Sequence, residues 1–324
     1  MSEPTVTTQT AAPSARAFSP GPGSPPPELS RSGPVPTRPL ALGEILDGAI
    51  SLLRLYPGAT MGLAAIVMAV QLVLTLPVQY FTQDLTFSLF DPVPSGGGGE
   101  LDPLLALLGV VLSSAIIGII TGTCAGVVVG LAASVVGGAA LSRPVTASTV
   151  WAEVRPRLWA LIGLSLLIGL ATAVGSLIPL VGEWFTAGAF AIAIPAMILE
   201  RIGPFQAIQR GWHLTFTGFL AYLRIVWIRL LATLVAFVLQ LLVGLPFILV
   251  GQVILSLNAP HSPGPGQILL SVFVTGLGTM AGGIVATPFV GCVQGLLYTD
   301  RRMRAEGFDI DLGQRLRRSA RGVV

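Results

Sequence analysis

Apolar residues run through this chain in long unbroken blocks, separated by short polar stretches. A helix crosses the roughly 30 Å hydrocarbon core of a bilayer in ~20 residues. Six blocks reach that length, approximately at 59–80, 103–141, 158–178, 181–199, 222–257 and 268–298. The pattern predicts an all-α membrane protein with six transmembrane helices. Three of the blocks exceed what a bilayer requires. The second, if helical throughout, extends beyond the hydrocarbon, or begins with an interfacial turn at 103–108.

A different periodicity precedes the first, third and fifth blocks. In RPLALGEILDGAISLLRLYPG, Leu42, Ile45, Leu46, Ala49, Leu52, Leu53 and Tyr56 share one helical face. Val150, Trp151, Val154 and Leu158 form a similar stripe, and so do Phe205, Ile208, Trp212 and Phe216. Helices of this kind lie in the membrane interface with the apolar face inward. The expected architecture is therefore three transmembrane hairpins, each preceded by a cytoplasmic interfacial helix.

Composition supports the membrane reading. The chain is 53% hydrophobic and only 10% charged, against about a quarter charged in ordinary soluble domains. Residues 1–37 are rich in Pro, Ser and Thr without an apolar core, and are expected to be a disordered cytoplasmic tail. The membrane domain is expected at 38–312 and a basic cytoplasmic tail at 313–324. Cys124 and Cys292 both fall inside apolar blocks, which predicts buried free thiols.

All the positive side chains are arginine, since lysine is absent. They are not gathered as on a nucleic-acid surface, and no nucleic-acid partner is expected. The segments 81–102, 179–182 and 258–267 carry no arginine. Arg54, Arg143, Arg155, Arg157, Arg201, Arg210, Arg224 and Arg229 fall on the opposite side of a six-span chain. The positive-inside rule then predicts both termini cytoplasmic, and the arginine-only, Ala-, Gly- and Pro-rich composition is that of a high-GC bacterial genome, so the bacterial plasma membrane is the expected location. Trp151, Trp159, Trp212 and Trp227 fall near the same interface. Arg301, Arg302 and Arg304, directly after the last apolar block, read as a cytoplasmic anchor, with Asp300 and Arg304 at i,i+4 spacing. Such a face attracts anionic headgroups. A protein partner or a second copy of the chain is also compatible with it.

Small residues give the second block its packing signature. Ser114, Gly118, Gly122, Gly126, Gly130, Ser134 and Gly138 recur every fourth position, and Gly278 and Gly282 begin a shorter series in the sixth block. Small-xxx-small stripes let helix backbones approach closely. These two helices are expected to be central, with the stripe packing within or between chains.

Candidate chemistry is sparse. The middle of each block lacks Asp, Glu, Arg and His, the groups that membrane pumps and enzymes place at depth. Gln71, Gln240, Gln252 and Gln294 are the strongest polar groups there; they either bond between helices or line a polar path. Glu44 and Asp47 share a helix face and could act as acid and base or hold a cation, or simply form a polar face. His213 and His261 are isolated. No phosphate loop, nucleophile elbow or HExxH occurs. No metal or cofactor is expected.

Three stretches carry a family resemblance: RPLALGEILDGAISLLRLYPG, PAMILERIGPFQAIQRGW and PFVGCVQGLLYTDRRMRAEGFDIDL. Over most of 38–312 the chain resembles membrane proteins of high-GC Gram-positive bacteria, in particular the membrane domain of glycerophosphoryl diester phosphodiesterase. The catalytic part of that enzyme is a soluble barrel, and the residues outside the apolar blocks are too few for a barrel of ~250 residues. The resemblance therefore implies the membrane part without the enzyme. The expected function is a non-catalytic membrane scaffold or accessory to lipid and envelope processes. A carrier of a lipid-like or small solute, gated at Pro195, Pro246 and Pro288, is the alternative.

Overall fold

The computed structural model describes residues 40–90, 103–175, 188–216, 218–257 and 263–306. The expected tails, 1–37 and 313–324, lie outside the described residues, as does most of the 81–102 connection beyond Phe90. Nine α-helices are described: α1 (Leu42–Leu55), α2 (Leu63–Phe90), α3 (Pro103–Ala140), α4 (Ala147–Val154), α5 (Leu158–Gly175), α6 (Ala193–Leu199), α7 (Pro204–Thr215), α8 (Phe219–Ser256) and α9 (Pro265–Glu306). A π-helical turn, Gly58–Gly62, joins α1 to α2, and a 3-10 turn at Arg155–Arg157 joins α4 to α5.

Five of the described stretches are long and apolar enough to cross a membrane: Gly58–Phe87, Leu104–Ala140, Ala147–Gly175, Phe219–Ser256 and Pro265–Ala305. The long second block is one unbroken helix of 38 residues, about 57 Å at 1.5 Å per residue. The expected span 181–199 is described only from residue 188. There a turn leads into the seven residues of α6, whose Ala193 to Ile198 are all buried in protein.

Two helices organise the bundle. α9 packs against α1, α2, α3 and α8, while α3 packs against α2, α5, α6 and α9. Every residue of α9 from Gly291 to Arg301 is buried, so this helix is enclosed on all sides rather than along one stripe. Two glycines make the enclosure possible. A β-carbon at Gly291 would lie 3.0 Å from Val129 Cα, and one at Gly295 2.9 Å from a Val136 methyl. The main chains of α9 and α3 meet there with no room for a side chain.

The main core lies around the C-terminal half of α9. It contains Ile45, Ala49 and Leu52 of α1, Val136 of α3, Leu214 of α7, Ile225 and Ile228 of α8, and Phe289 to Tyr298 of α9. This differs from the expected interfacial role of α1. Its apolar face is turned onto protein, with Leu296 of α9 against Gly48. The enclosing helix offers that face a closer-packed partner than lipid.

α7 behaves differently. Ala207, Gly211, Leu214 and Thr215 turn inward, while Phe205, Trp212 and Phe216 are exposed. A β-carbon at Gly211 would lie 3.1 Å from the main-chain nitrogen of Ala193, so the small face allows α6 and α7 to touch. Trp159 and Trp227 are 84% and 59% exposed, close in sequence to Arg157 and Arg224. That leaves an aromatic girdle available to an interface.

Helix ends are fixed locally. Glu44 accepts a 2.8 Å hydrogen bond from Ala41 N–H at the start of α1. Thr146 Oγ1 accepts from Thr149 N–H at the start of α4. α3 ends at Ala140 and is closed off by Ser142, whose φ is 52°, with Arg143 N–H donating to Gly138 O at 3.0 Å. This is a left-handed cap on a residue other than glycine.

Candidate functional site

Asp300 is the most deeply buried charged group among the described residues, with none of its side chain exposed. One carboxylate oxygen accepts Leu40 N–H at 2.9 Å. Both accept from Arg304 Nε at 3.0 Å, and Arg224 Nη2 stands 3.5 Å from Oδ2. The carbonyl of Leu40 accepts in turn from Arg224 at 2.7 Å and Arg304 at 3.1 Å. One carboxylate and two guanidinium groups therefore hold both main-chain polar groups of Leu40. The first described residue is bound to the last turns of the last helix.

A second node lies beside it. Glu200, just past α6, accepts from Arg210 Nε and Nη2 at 3.1 Å and from the Tyr298 hydroxyl at 2.5 Å. Arg302 Nε is 3.7 Å away. Burial alone would raise the Glu200 carboxyl, but the Tyr298 and Arg210 hydrogen bonds and the charges of Arg210 and Arg302 outweigh it and hold it below its ordinary value. Arg301 donates to Leu214 O at 3.0 Å. The three arginines of the expected anchor thus diverge to α1, α6 and α7. Asp300 and Arg301 are buried rather than solvated, because α9 is enclosed there.

Asp300 and Arg304 form their i,i+4 pair. Leu40, Arg224, Glu200 and Tyr298, which complete the two nodes, escaped sequence reasoning. The long-range contacts of the two nodes span 76 to 264 positions, and a lone backbone group at Leu40 leaves no mark in the sequence.

Glu44 is occupied in capping α1, and Asp47 is exposed on that helix. Among the described residues no three His, Cys, Asp or Glu side chains come together as a metal site would need. Cys124 and Cys292 are buried free thiols.

The glycine stripe of α3 divides along its length. Gly122, Gly126 and Gly130 face Gly169, Ser165 and Leu161 of α5, and Gly138 faces Val145. Ser134 is buried. At the other end Ser114 is exposed, its hydroxyl bonded to Val110 O, and nothing approaches Gly118. In α9, Gly278 lies against Phe247 and the Gly244 carbonyl, and Gly282 against the Gln240 carboxamide. Gln240 Nε2 donates to Thr279 O at 3.0 Å, tying α8 to α9. Gln71 and Gln294 are buried.

At the end of the bundle away from the arginines, α2, α3, α8 and α9 part around a cavity of about 160 Å³. Gln79, Thr82, Gln83, Gln252, Ser271 and Thr275 supply its polar lining, and Ile117, Val272 and Leu255 its apolar lining. Among the described residues, no lining group is ionisable. Gln252 had a place among the deep glutamines; Gln79, at the end of the first block, and Gln83, in the 81–102 connection, did not. An i,i+4 pair of glutamines there was the available signal.

No family model matches the chain, and no match was found among curated proteins or solved structures.

Proposed function

We propose that this chain is a non-catalytic, multi-pass protein of the bacterial plasma membrane, with both termini cytoplasmic, serving as a scaffold or accessory in lipid and envelope processes. The observation that carries this reading is the saturated Asp300 node. A catalytic carboxylate needs an open coordination position or a proton to exchange. Asp300 instead commits its oxygens to Leu40, Arg304 and Arg224. Arg301 and Arg302 are likewise engaged with Leu214 and Glu200. The charge at this end holds helices in place, and the exposed aromatics Trp159, Phe205, Trp212 and Trp227 give the same end a membrane-gripping rim. The resemblance to the membrane domain of glycerophosphoryl diester phosphodiesterase accords with a role beside an enzyme.

Extraction in native lipid particles followed by mass spectrometry tests the proposal. A stoichiometric protein partner supports the accessory role. A particle that carries only the chain and one retained small solute, and that moves this solute across reconstituted vesicles, overturns it.

A second reading, a carrier for a lipid-like or small solute, is favoured by the polar cavity at the opposite end. Pro246 lies inside α8 and Pro288 inside α9, where each ring removes a main-chain hydrogen bond and gives such a carrier a place to bend.

A further inference from the structure

We propose that the cavity between α2, α3, α8 and α9 is a binding site for an uncharged, hydroxyl-rich group, either a lipid headgroup in the far leaflet or a free polyol or sugar. The proposal concerns what is bound. It stands whether the chain carries that group or merely holds it.

The position of the cavity comes first. Gln252 follows Trp227 by 25 residues along α8, about 37 Å of helix at 1.5 Å per residue. Thr275 precedes Arg301 by 26 residues along α9, about 39 Å on the same scale. Trp227 and Arg301 belong to the aromatic and arginine end. The hydrocarbon core is roughly 30 Å thick, so the cavity falls one bilayer thickness away, at the headgroup level of the opposite leaflet.

The lining chemistry then selects the ligand. With no ionisable side chain among the described lining residues, a charged group entering the site would lose hydration without gaining a counter-charge there. The Thr82 hydroxyl donates to Val78 O at 2.7 Å and that of Ser271 to Ile268 O at 2.8 Å. Their oxygens therefore face a ligand as acceptors. Gln79, Gln83 and Gln252 offer both N–H donors and carbonyl acceptors. The complement of mixed donors and acceptors is a set of hydroxyl groups, each of which both donates and accepts. Ile117, Val272 and Leu255 supply an apolar wall suited to the C–H face of a polyol or sugar ring. The volume of about 160 Å³ equals the share of about five liquid waters, room for one such group with the rest of any lipid outside.

Gly251 fixes one wall of this space. A β-carbon there would run into Thr275 Oγ1 and lie 3.3 Å from Ser271 O, so α8 and α9 approach closely at this point. Gln252 and Thr275 both line the cavity beside that contact.

The test uses the full chain in phosphatidylcholine nanodiscs, free of sugar detergents. Native mass spectrometry compares retention of monoglucosyl diacylglycerol, unsubstituted diacylglycerol and phosphatidic acid, and calorimetry titrates free glucose and sorbitol. Retention of the glucosyl lipid about tenfold above diacylglycerol, equivalent to roughly one net hydrogen bond, supports a headgroup source. Saturable binding of glucose or sorbitol supports the same chemistry from a soluble source. Gln83→Leu and Gln252→Leu should each weaken retention of the bound species, whereas Gln240→Leu, outside the cavity, should not. Equal retention of all three lipids with no binding of either polyol overturns the proposal. So does preference for phosphatidic acid. The comparison of ligands on the wild-type chain needs no variant, so it decides the question even where a variant misfolds.

Discussion

Asp300 accepts a hydrogen bond from the main-chain nitrogen of Leu40, 260 positions earlier in the chain, at 2.9 Å. The contact closes the fold: α1 enters where α9 leaves, and Arg224 and Arg304 bind the carboxylate and the Leu40 carbonyl together. Removing the carboxylate takes the acceptor from the Leu40 N–H and the counter-charge from two arginines. Asp300→Ala should therefore destabilise the protein by about 3–5 kcal/mol, the usual cost of breaking a buried ion pair from one side. Thermal unfolding in nanodiscs measures this. A variant within about 0.5 kcal/mol of wild type would show the node to be dispensable.

Glu200 makes stability depend on pH. Its folded-state pKa lies below the ordinary value of 4.5, so its charged form is favoured by folding. Stability from this source is complete above that value and is lost as pH falls through the folded pKa. Glu200→Gln should thus be less stable than wild type at pH 7, and the difference should shrink below about pH 4.5. A difference that stays constant between about pH 7 and about pH 3.5, spanning the ordinary carboxylate range, would mean that the carboxylate charge contributes nothing.

Close approach of α3 and α9 predicts a contrast between two glycines. Gly291→Leu drives a side chain into the Val129 main chain and Ala132, and should prevent recovery of folded protein. Gly118→Leu meets open space and should leave folding unchanged. Size-exclusion profiles of the two variants decide it. If the Gly118 variant aggregates while the Gly291 variant does not, the assignment of the packed face is wrong.

Gln240 bridges α8 to Thr279 of α9 in apolar surroundings. Hydrogen bonds between membrane helices average about 0.6 kcal/mol. Gln240→Leu should accordingly lower stability only slightly, by a fraction of a kcal/mol on that scale. A loss of several kcal/mol in steric-trap unfolding would instead mark the group as part of a larger polar network.

Ser142 sits at φ 52° in the cap of α3. A glycine there avoids the left-handed penalty, so Ser142→Gly should raise stability by up to about 1 kcal/mol. A lowered unfolding midpoint would show that the serine side chain itself is needed.

The membrane class of this chain could be read directly from its sequence, because spanning helices follow from local composition. Residues from Ala106 to Ala140 carry no charge and are overwhelmingly apolar, and a bilayer leaves such a segment little choice but a helix. The small residues of α3 and α9 were equally visible, since close packing requires them wherever the partner lies. Which partner each one meets was not visible. Gly126 faces Ser165 whereas Gly118 faces nothing, and the repeat reads the same at both. Likewise Leu42 to Tyr56 shows an amphipathic face, but periodicity cannot say whether lipid or α9 covers it. Tertiary structure decided that, and it also gave the expected cytoplasmic anchor at Arg301 to Arg304 its distant partners, in nodes centred on the buried Asp300 and on Glu200. The polar cavity too exists only once α2, α3, α8 and α9 are assembled, since its six polar residues come from three separate helices. Sequence determines what each helix requires, through local polarity and size; tertiary structure determines which requirements meet, because charges and cavities depend on neighbours far apart in the chain.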